Sequence, residues 1–322
     1  MSLSRLAALL LLPVVALGMP AAALAAGPLK IAMVLWRGET EAEQGFRERL
    51  KELGHTTEYV VMNANQDRGE LGRLLREDLL PRVDTFHYVY AYGTTVMLAA
   101  KSVVPPKVPL LFNIVADPVG AGIVPSLERS GANVAGASNA VPMALQLKTA
   151  TAVFPIRRLG LFFNPREKNA MLMRDQVLAV AKTLGIEVVD LRSPPAQDML
   201  QENLRKLRDG SVVVDAVYLP ADSFMVSSAK LIGAELRAAK VKSIAALDTF
   251  VDQGALMGVV PQYRELGQAL AGIVHRHVGG QRLADMPIEV DRDPVLRVNV
   301  TTSRALGVTI PDALMKRAVR VE

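Results

Sequence analysis

The feature that most constrains the fold is an alternation of short apolar segments and amphipathic segments, which runs through the chain twice. In the first half, four apolar runs predict strands at 29–36, 57–62, 86–92 and 108–115. The segments between them have helical periodicity and cover 39–53, 67–80 and 94–103. Continuous apolar strands that alternate with amphipathic helices predict a parallel sheet covered by helices on both faces.

The same pattern resumes after about residue 140. It predicts strands at 158–163, 186–191, 215–219, 242–247 and 255–260. The helices predicted between and after these strands cover 167–184, 196–208, 223–239, 249–253 and 263–278. We therefore expect an α/β fold of two doubly wound parallel-sheet lobes. Because ligands of such sheets bind beyond the carboxyl ends of the strands, we also expect an interlobe cleft.

The first 26 residues have the three parts of a secretory signal peptide. Arg5 supplies a positive charge, residues 6–17 form a short apolar run broken by Pro13, and residues 23–25 (Ala-Leu-Ala) fit the small-x-small cleavage rule. A membrane anchor is the alternative, but this run is shorter than the roughly 20 residues that a spanning helix needs. We expect cleavage of residues 1–26 and a mature protein in the periplasm.

Composition argues against several classes of function. The 322 residues contain no cysteine, which excludes disulfides, thiolate metal sites, a catalytic cysteine and a lipid-anchored N-terminal cysteine. Four histidines leave little material for a histidine metal site. The net charge of +5 is small and spread along the chain, so we expect no nucleic-acid partner. GxSxG, P-loop, HExxH and GxGxxG motifs are absent, and we expect no metal, cofactor or catalytic residue.

Polar residues and glycine follow most of the predicted strands. In the first half these residues are Trp36, Arg37, Gly93, Thr94, Thr95 and Asp117. In the second half they are Asn164, Asp222 and Asp248. Helices that begin just after these strands present free backbone N–H groups and the positive end of the helix dipole to the same edge. Together these groups suit a small zwitterion or a carboxylate.

The candidate side chains divide by charge. Arg37 is the candidate partner of a carboxylate, because its guanidinium can hold two oxygens at once. The candidate partners of an ammonium group are Asp117, Asp222 and Asp248. Trp36, the only tryptophan, could stack on a ligand or close the cleft. The alternatives are structural: helix caps and turns for the acids, packing for the tryptophan, and pairing with a nearby glutamate for the arginine.

Three segments of the chain resemble a known family. Residues 117–138, DPVGAGIVPSLERSGANVAGAS, are similar to a DPVGAGLV-type loop, a short turn with glycine and an NVTGVS-type strand. Residues 248–267, DTFVDQGALMGVVPQYRELG, resemble a second run of that family, and residues 307–318, GVTIPDALMKRA, are similar to its usual ending. The family is that of the substrate-binding proteins of ABC transporters, in the group that includes aromatic amino-acid binders. The resemblance covers essentially the mature chain.

The resemblance implies a type I periplasmic-binding-protein fold, in which two α/β lobes are joined by three crossings and close about a hinge. The expected N-terminal lobe comprises 27–140 plus about 262–286, and the C-terminal lobe comprises 141–261 plus about 287–322. The resemblance also implies ligand contacts at Thr94, Thr95, Asp117, Asn164, Asn169, Asp222 and Asp248.

The sequence departs from the family pattern in three places. Ala116 replaces a threonine, residues 259–263 replace a stretch of glycine plus an aromatic residue, and residues 36–40 (WRGET) replace a histidine-containing loop. These departures bear on specificity for aromatic amino acids rather than on the binding role.

We therefore expect a monomeric periplasmic receptor that binds a small molecule, an amino acid or a related carboxylate or amine, and delivers it to an ABC permease in the inner membrane. Hinge closure over the ligand needs no reaction. There are two alternatives. One is a ligand-sensing module for a membrane sensor, and the other is a two-lobe enzyme in which Asp117 and Asp248 perform acid–base catalysis.

Overall fold

The computed structural model describes residues 27–322, so the predicted signal peptide lies outside the described residues. Within this range, two sheets covered by helices form two α/β lobes. The strands of the first sheet are β1 (Leu29–Leu35), β2 (Thr57–Asn63), β3 (Tyr88–Tyr92), β4 (Leu110–Asn113), β5 (Val134–Ser138) and β11 (Glu289–Val290). The strands of the second are β6 (Arg158–Phe163), β7 (Glu187–Arg192), β8 (Ala216–Leu219), β9 (Lys242–Ala245), β10 (Met257–Val260), β12 (Val295–Asn299) and β13 (Val319–Val321).

Helices connect nearly all of these strands. They are α1 (Glu41–Glu52), α2 (Arg68–Arg73), α3 (Gly93–Val103), α4 (Met143–Thr151), α5 (Lys168–Thr183), α6 (Gln197–Arg208), α7 (Ser223–Ser227), α8 (Ala229–Ala238), α9 (Asp248–Asp252), α10 (Tyr263–Val278), α11 (Val300–Leu306) and α12 (Asp312–Met315). No helix within residues 27–322 is both long and apolar enough to cross a bilayer.

The two lobes repeat one topology. Their strand orders are β2-β1-β3-β4-β5 and β7-β6-β8-β9-β10, extended at one edge by β11 and by β12 and β13. All pairs are parallel except β10 with β12, which are antiparallel. Every residue of β3 and β8 is buried, which explains their continuous apolar sequences. The order in which successive strands are added reverses between β1 and β3 in the first sheet and between β6 and β8 in the second. Such folds bind ligands at this point.

The chain passes between the lobes three times. After β5 it enters the second lobe, where α4 packs on α5 and β10. After β10 it returns, because α10 packs on α1 and β11 pairs with β5. It then crosses again to add β12 and β13 to the second sheet. The first sheet therefore reaches Val290, beyond the boundary near 286 expected from sequence, because a two-residue strand leaves no periodic signal.

The helix predicted over 223–239 is two helices, α7 and α8. Ser228 separates them with φ −102° and ψ 9°. The Ser227 hydroxyl donates to the Phe224 carbonyl at 2.8 Å. Such local bonds offer the backbone an alternative to a continuous helix, which hydrophobic periodicity does not reveal.

The contact between α10 and α1 is close because glycine lies on both sides. A methyl group on Gly45 would overlap the Arg264 carbonyl oxygen, and one on Gly267 would overlap the Ala42 carbonyl oxygen. Arg264 also forms ion pairs with Glu41, at 3.0 Å, and with Glu48. Backbone approach and surface ion pairs together hold α10 on the first lobe.

We expect Gly267→Ala to lower the free energy of unfolding by about 2 kcal/mol, because the two helix backbones would have to separate. Gly272→Ala is the matched control on the same helix, where the added methyl group would meet only the end of the Arg276 side chain, at 3.6 Å. That variant should be neutral or stabilising by up to about 1 kcal/mol through helix propensity. Urea denaturation measures both, and equal effects would contradict the packing.

Candidate functional site

A narrow cavity of about 50 Å³ lies between the two lobes. The first lobe and its returning helix contribute Trp36, Arg37, Tyr92, Gly93, Thr94, Thr95, Ile114, Ala116, Asn139 and Tyr263. The second lobe contributes Asn169, Ala221, Asp222, Ser223, Val226 and Leu247. We call this space the interlobe cavity.

The topology explains why these residues meet. The segments 36–37 and 92–95 follow β1 and β3, the strands that flank the reversal point of the first sheet. The segment 221–223 follows β8, which flanks the corresponding point of the second sheet. Both reversal points therefore open onto the same cavity, as expected for ligand sites of doubly wound sheets.

The structure brings seven of the ten candidate residues into the lining of this cavity. They are Trp36, Arg37, Gly93, Thr94, Thr95, Asn169 and Asp222. Asp117, Asn164 and Asp248 are not in the lining. Asp117 accepts a hydrogen bond from the Gly120 N–H at 2.7 Å, and Asp248 accepts one from the Thr249 N–H at 2.6 Å. For these two acids the structure shows the turn and cap roles that were the alternative to ligand contact, and Asp222, although in the lining, also caps α7.

Arg37 carries the positive charge of the cavity. Its guanidinium donates a hydrogen bond to the Tyr92 hydroxyl at 2.9 Å and lies 5.7 Å from the centre of that ring. Burial lowers the pKa of Arg37, but Tyr92, Tyr263 and Asp248 outweigh this effect and raise the pKa overall. The side chain therefore stays charged, and most of its N–H groups are available to an anionic group in the cavity.

The N-terminus of α3 adds further donors next to Arg37. Tyr92 precedes the helix in extended conformation, and no side chain caps the first turn. Gly93 starts the helix at φ +78°, a left-handed conformation that favours glycine. The free backbone N–H groups of the first turn and the helix dipole suit a carboxylate.

The second lobe has two neighbouring buried carboxyl groups, of which Asp222 lines the cavity and Glu167 does not. Asp222, which is 0% exposed, accepts hydrogen bonds from the backbone N–H groups of Asn164, at 2.7 Å, and Met225, at 3.0 Å. Glu167, which is 5% exposed, accepts bonds from the Ser223 N–H at 3.2 Å and the Asn164 side chain at 3.3 Å. Burial first, and then the nearby Glu167, raises the pKa of the Asp222 carboxyl from 3.8 to about 7.

Two buried polar atoms in the cavity wall lack a hydrogen-bond partner among the described residues. They are the indole Nε1 of Trp36 and the amide Oδ1 of Asn139. Buried polar groups are nearly always paired in folded proteins. The protein therefore leaves one donor and one acceptor unpaired in residues that line the cavity.

Sequence reasoning missed Tyr92, Asn139, Glu167 and Tyr263. Tyr92 and Asn139 follow the strand-end rule, since they end β3 and follow β5, so the signal was present. Glu167 directly precedes α5 and has the pattern of an ordinary helix-start acid. Tyr263 begins α10, which returns from the other sheet, and no local signal marks it. Within residues 27–322 no group of three or more potential metal-ligating side chains converges.

Comparison with known proteins gives a family and a fold. Residues 31–322 match the model of the family described as ABC transporter substrate binding protein. The tyrosine-binding protein of Clostridioides difficile strain R20291 is 25% identical over 273 residues, which are 83% of this chain and 76% of that protein. The family resemblance found in the motifs is confirmed.

Solved structures share the two-lobe fold. The ABC domain in complex with L-Trp from Streptococcus pneumonia gives a TM-score of 0.83 at 21% identity, over 92% of this chain and 100% of that chain. A conserved domain protein from Vibrio cholerae also gives 0.83, at 23% identity and the same coverage. A ligand-free, open structure of a substrate-binding protein from Clostridium difficile gives 0.66 at 24% identity, over 91% and 99%. The predicted fold class is confirmed.

The proximity of Asp222 and Glu167 predicts how the stability of the protein depends on pH. A raised pKa means that the folded protein binds a proton which the unfolded chain releases, so this contribution to stability is present at low pH. It is lost as the pH rises from about 4 to about 7. We expect Glu167→Gln, which removes the neighbouring charge, to reduce that loss by about 1 kcal/mol.

Urea denaturation at several values between pH 4 and pH 8 measures this effect. The readout is the slope of stability against pH, so a uniform loss of stability in the variant does not affect it. Glu265→Gln is the control, because that glutamate is exposed on α10. Identical slopes for the wild type and Glu167→Gln would disprove the effect of the Glu167 charge on the pKa of Asp222.

Proposed function

Because the chain belongs to the ABC transporter substrate-binding protein family, a family of binding proteins rather than enzymes, we propose that it is the periplasmic receptor of an importer. The receptor binds an amino acid, or a related small carboxylate or amine, in the interlobe cavity. The residues that contact it are those of the cavity lining, with Arg37 on one side and Asp222 on the other.

The single observation that carries this proposal is the opposite polarity of the two walls. The first lobe presents a guanidinium and an uncapped helix N-terminus, which favour a carboxylate. The second lobe presents the Asp222 carboxyl group and the Asn169 side chain, whose oxygen atoms favour an ammonium or another donor. An α-amino acid carries both charges a few ångströms apart and would contact both lobes at once.

Contacts across the cleft support a hinge mechanism. Arg68 of the first lobe donates to the Arg166 carbonyl of the second at 2.6 Å, and Gln176 donates to Asp117 at 3.4 Å. Ligand contacts on both walls add to these few bonds and shift the population toward the closed form. The chain also superposes better on the relative with L-Trp bound than on the ligand-free, open relative.

The aromatic residues of the cavity support an aromatic amino acid as the first ligand to test. Trp36, Tyr92 and Tyr263 all line the space. Flat apolar rings pack against other rings with favourable geometry. One relative is named for tyrosine, and another has L-Trp bound.

Localisation and partner follow from the same proposal. Residues 1–26 would direct export and be removed, and the receptor would act as a monomer in the periplasm. The closed form would present both lobes to an ABC permease in the inner membrane.

We expect Arg37→Met to weaken binding of an amino acid by about 10- to 100-fold, because charge-assisted hydrogen bonds to the carboxylate are lost. Arg304→Met is the control, since Arg304 is exposed on α11. Calorimetry on protein that has been unfolded and refolded, which removes any trapped ligand, measures both variants against the twenty amino acids and simple mono- and dicarboxylates. Unchanged affinity in Arg37→Met would refute the carboxylate role, and a flat response to all compounds would refute the proposed function.

Trp36 provides an optical test of the binding site. It is the only tryptophan in the chain, and it is 6% exposed in the cavity wall. Saturation with a ligand found by calorimetry should therefore shift or quench the tryptophan emission, because the environment of the indole changes. An emission spectrum that stays constant on saturation would place the bound ligand elsewhere.

A further inference from the structure

A second chamber adjoins the interlobe cavity on the far side of Trp36. It has a volume of about 300 Å³. Trp36 and Ser223 line both spaces, so the two are neighbours across these residues. Gln66, Arg68, Arg166 and Phe224 line only the second. We call it the outer chamber.

The geometry points to a ligand longer than a simple amino acid: we propose that the outer chamber is a subsite for a carboxylate or phosphate group at the far end of the ligand. The amino-acid or carboxylate end of the same ligand occupies the interlobe cavity, so this inference rests on the proposed function. Its chemical class is an amino acid or small acid that carries a second, distal oxyanion.

The first observation is the unpaired indole N–H at the junction. Trp36 is more than nine-tenths buried, and its Nε1 has no partner among the described residues. Because this side chain lines both spaces, its unpaired N–H group belongs to the boundary that a molecule extending from one space into the other would cross.

The second observation is an accumulation of positive charge from both lobes. Arg68 begins α2 in the wall of the first lobe, and Arg166 precedes α5 in the wall of the second. Neither guanidinium forms an ion pair with another described residue, and both side chains are exposed at the mouth. Lys168 lies with both arginines along an adjoining groove. Three cations thus surround the entrance without a paired acid.

One acid faces these cations. Glu167 lines the outer chamber, but its two carboxyl oxygens accept hydrogen bonds from Asn164, Ser223 and Asn169. The carboxyl group is thereby held against the second lobe. The charge of the chamber stays positive overall, since two guanidinium groups outnumber one carboxyl group, and a distal oxyanion would find donors there.

Arg166 offers a clean variant. The bond between the lobes uses the Arg166 carbonyl as the acceptor and the Arg68 side chain as the donor. Arg166→Gln therefore removes a charge from the chamber and keeps that bond. Arg68→Gln would remove the charge and the bond together and serves as the second variant. Arg317→Gln, at an exposed arginine after α12, is the matched control.

The test compares matched pairs of compounds by calorimetry on refolded protein. One pair is L-tyrosine and O-phospho-L-tyrosine, and the other is L-norleucine and L-2-aminoadipate. We expect the wild type to prefer the member with the distal oxyanion in at least one pair. Arg166→Gln should lower affinity for that member by about fivefold, as for a partly exposed charge, and change affinity for its neutral partner by less than about twofold. The preference should also shrink between 50 mM and 500 mM NaCl.

The outcomes separate the two proposals. If the wild type binds the oxyanion members equally or more weakly, the proposal of a subsite in the outer chamber is overturned and the proposed function stays intact. A preference that survives unchanged in Arg166→Gln and Arg68→Gln would also overturn it. Failure of every compound to bind would overturn both the subsite proposal and the proposed function.

Discussion

The packing of α10 on α1 is the interaction on which the arrangement of the site depends. α10 follows β10 of the second sheet, yet it packs on the first lobe, where Gly45 and Gly267 allow backbone contact. Since α10 begins at Tyr263, this contact sets that ring in the cavity wall with Arg37. After α10 the chain adds β11 to the first sheet before it returns to the second. One helix therefore determines a crossing between the lobes and part of the binding surface.

Desolvation gives the cavity its chemical character. Arg37 and Asp222 are held away from bulk water by the strands that place them, and a buried charge is costly unless it is hydrogen-bonded or paired. Arg37 has a tyrosine hydroxyl, and Asp222 has two backbone N–H groups and a raised pKa. Among the described residues neither side chain forms an ion pair, although the charge of Asp248 contributes to the raised pKa of Arg37. Under the proposed function, a zwitterion would supply a partner to each of these side chains and would link the two lobes.

Much of the fold and part of the site could be predicted from the sequence. Arg37, Thr94 and Asp222 were found because the ends of apolar strands are easy to locate, and parallel strands end at one edge. Asp117 and Asn164 followed the same rule, but both side chains bond within their own turns, to Gly120 and Arg166. Strand-end position therefore identifies the edge of the sheet and does not show which way a side chain points.

The sequence by itself determined the alternation of strands and helices, the two-lobe class and the edge at which polar groups collect. These depend on neighbours a few residues away, so periodicity records them. Only the tertiary structure decided that Tyr263 joins Arg37, that Glu167 lies beside Asp222, and that Trp36 divides the cleft into two spaces. Those relations join residues far apart in the chain through packing and burial, and no local pattern of residues encodes them.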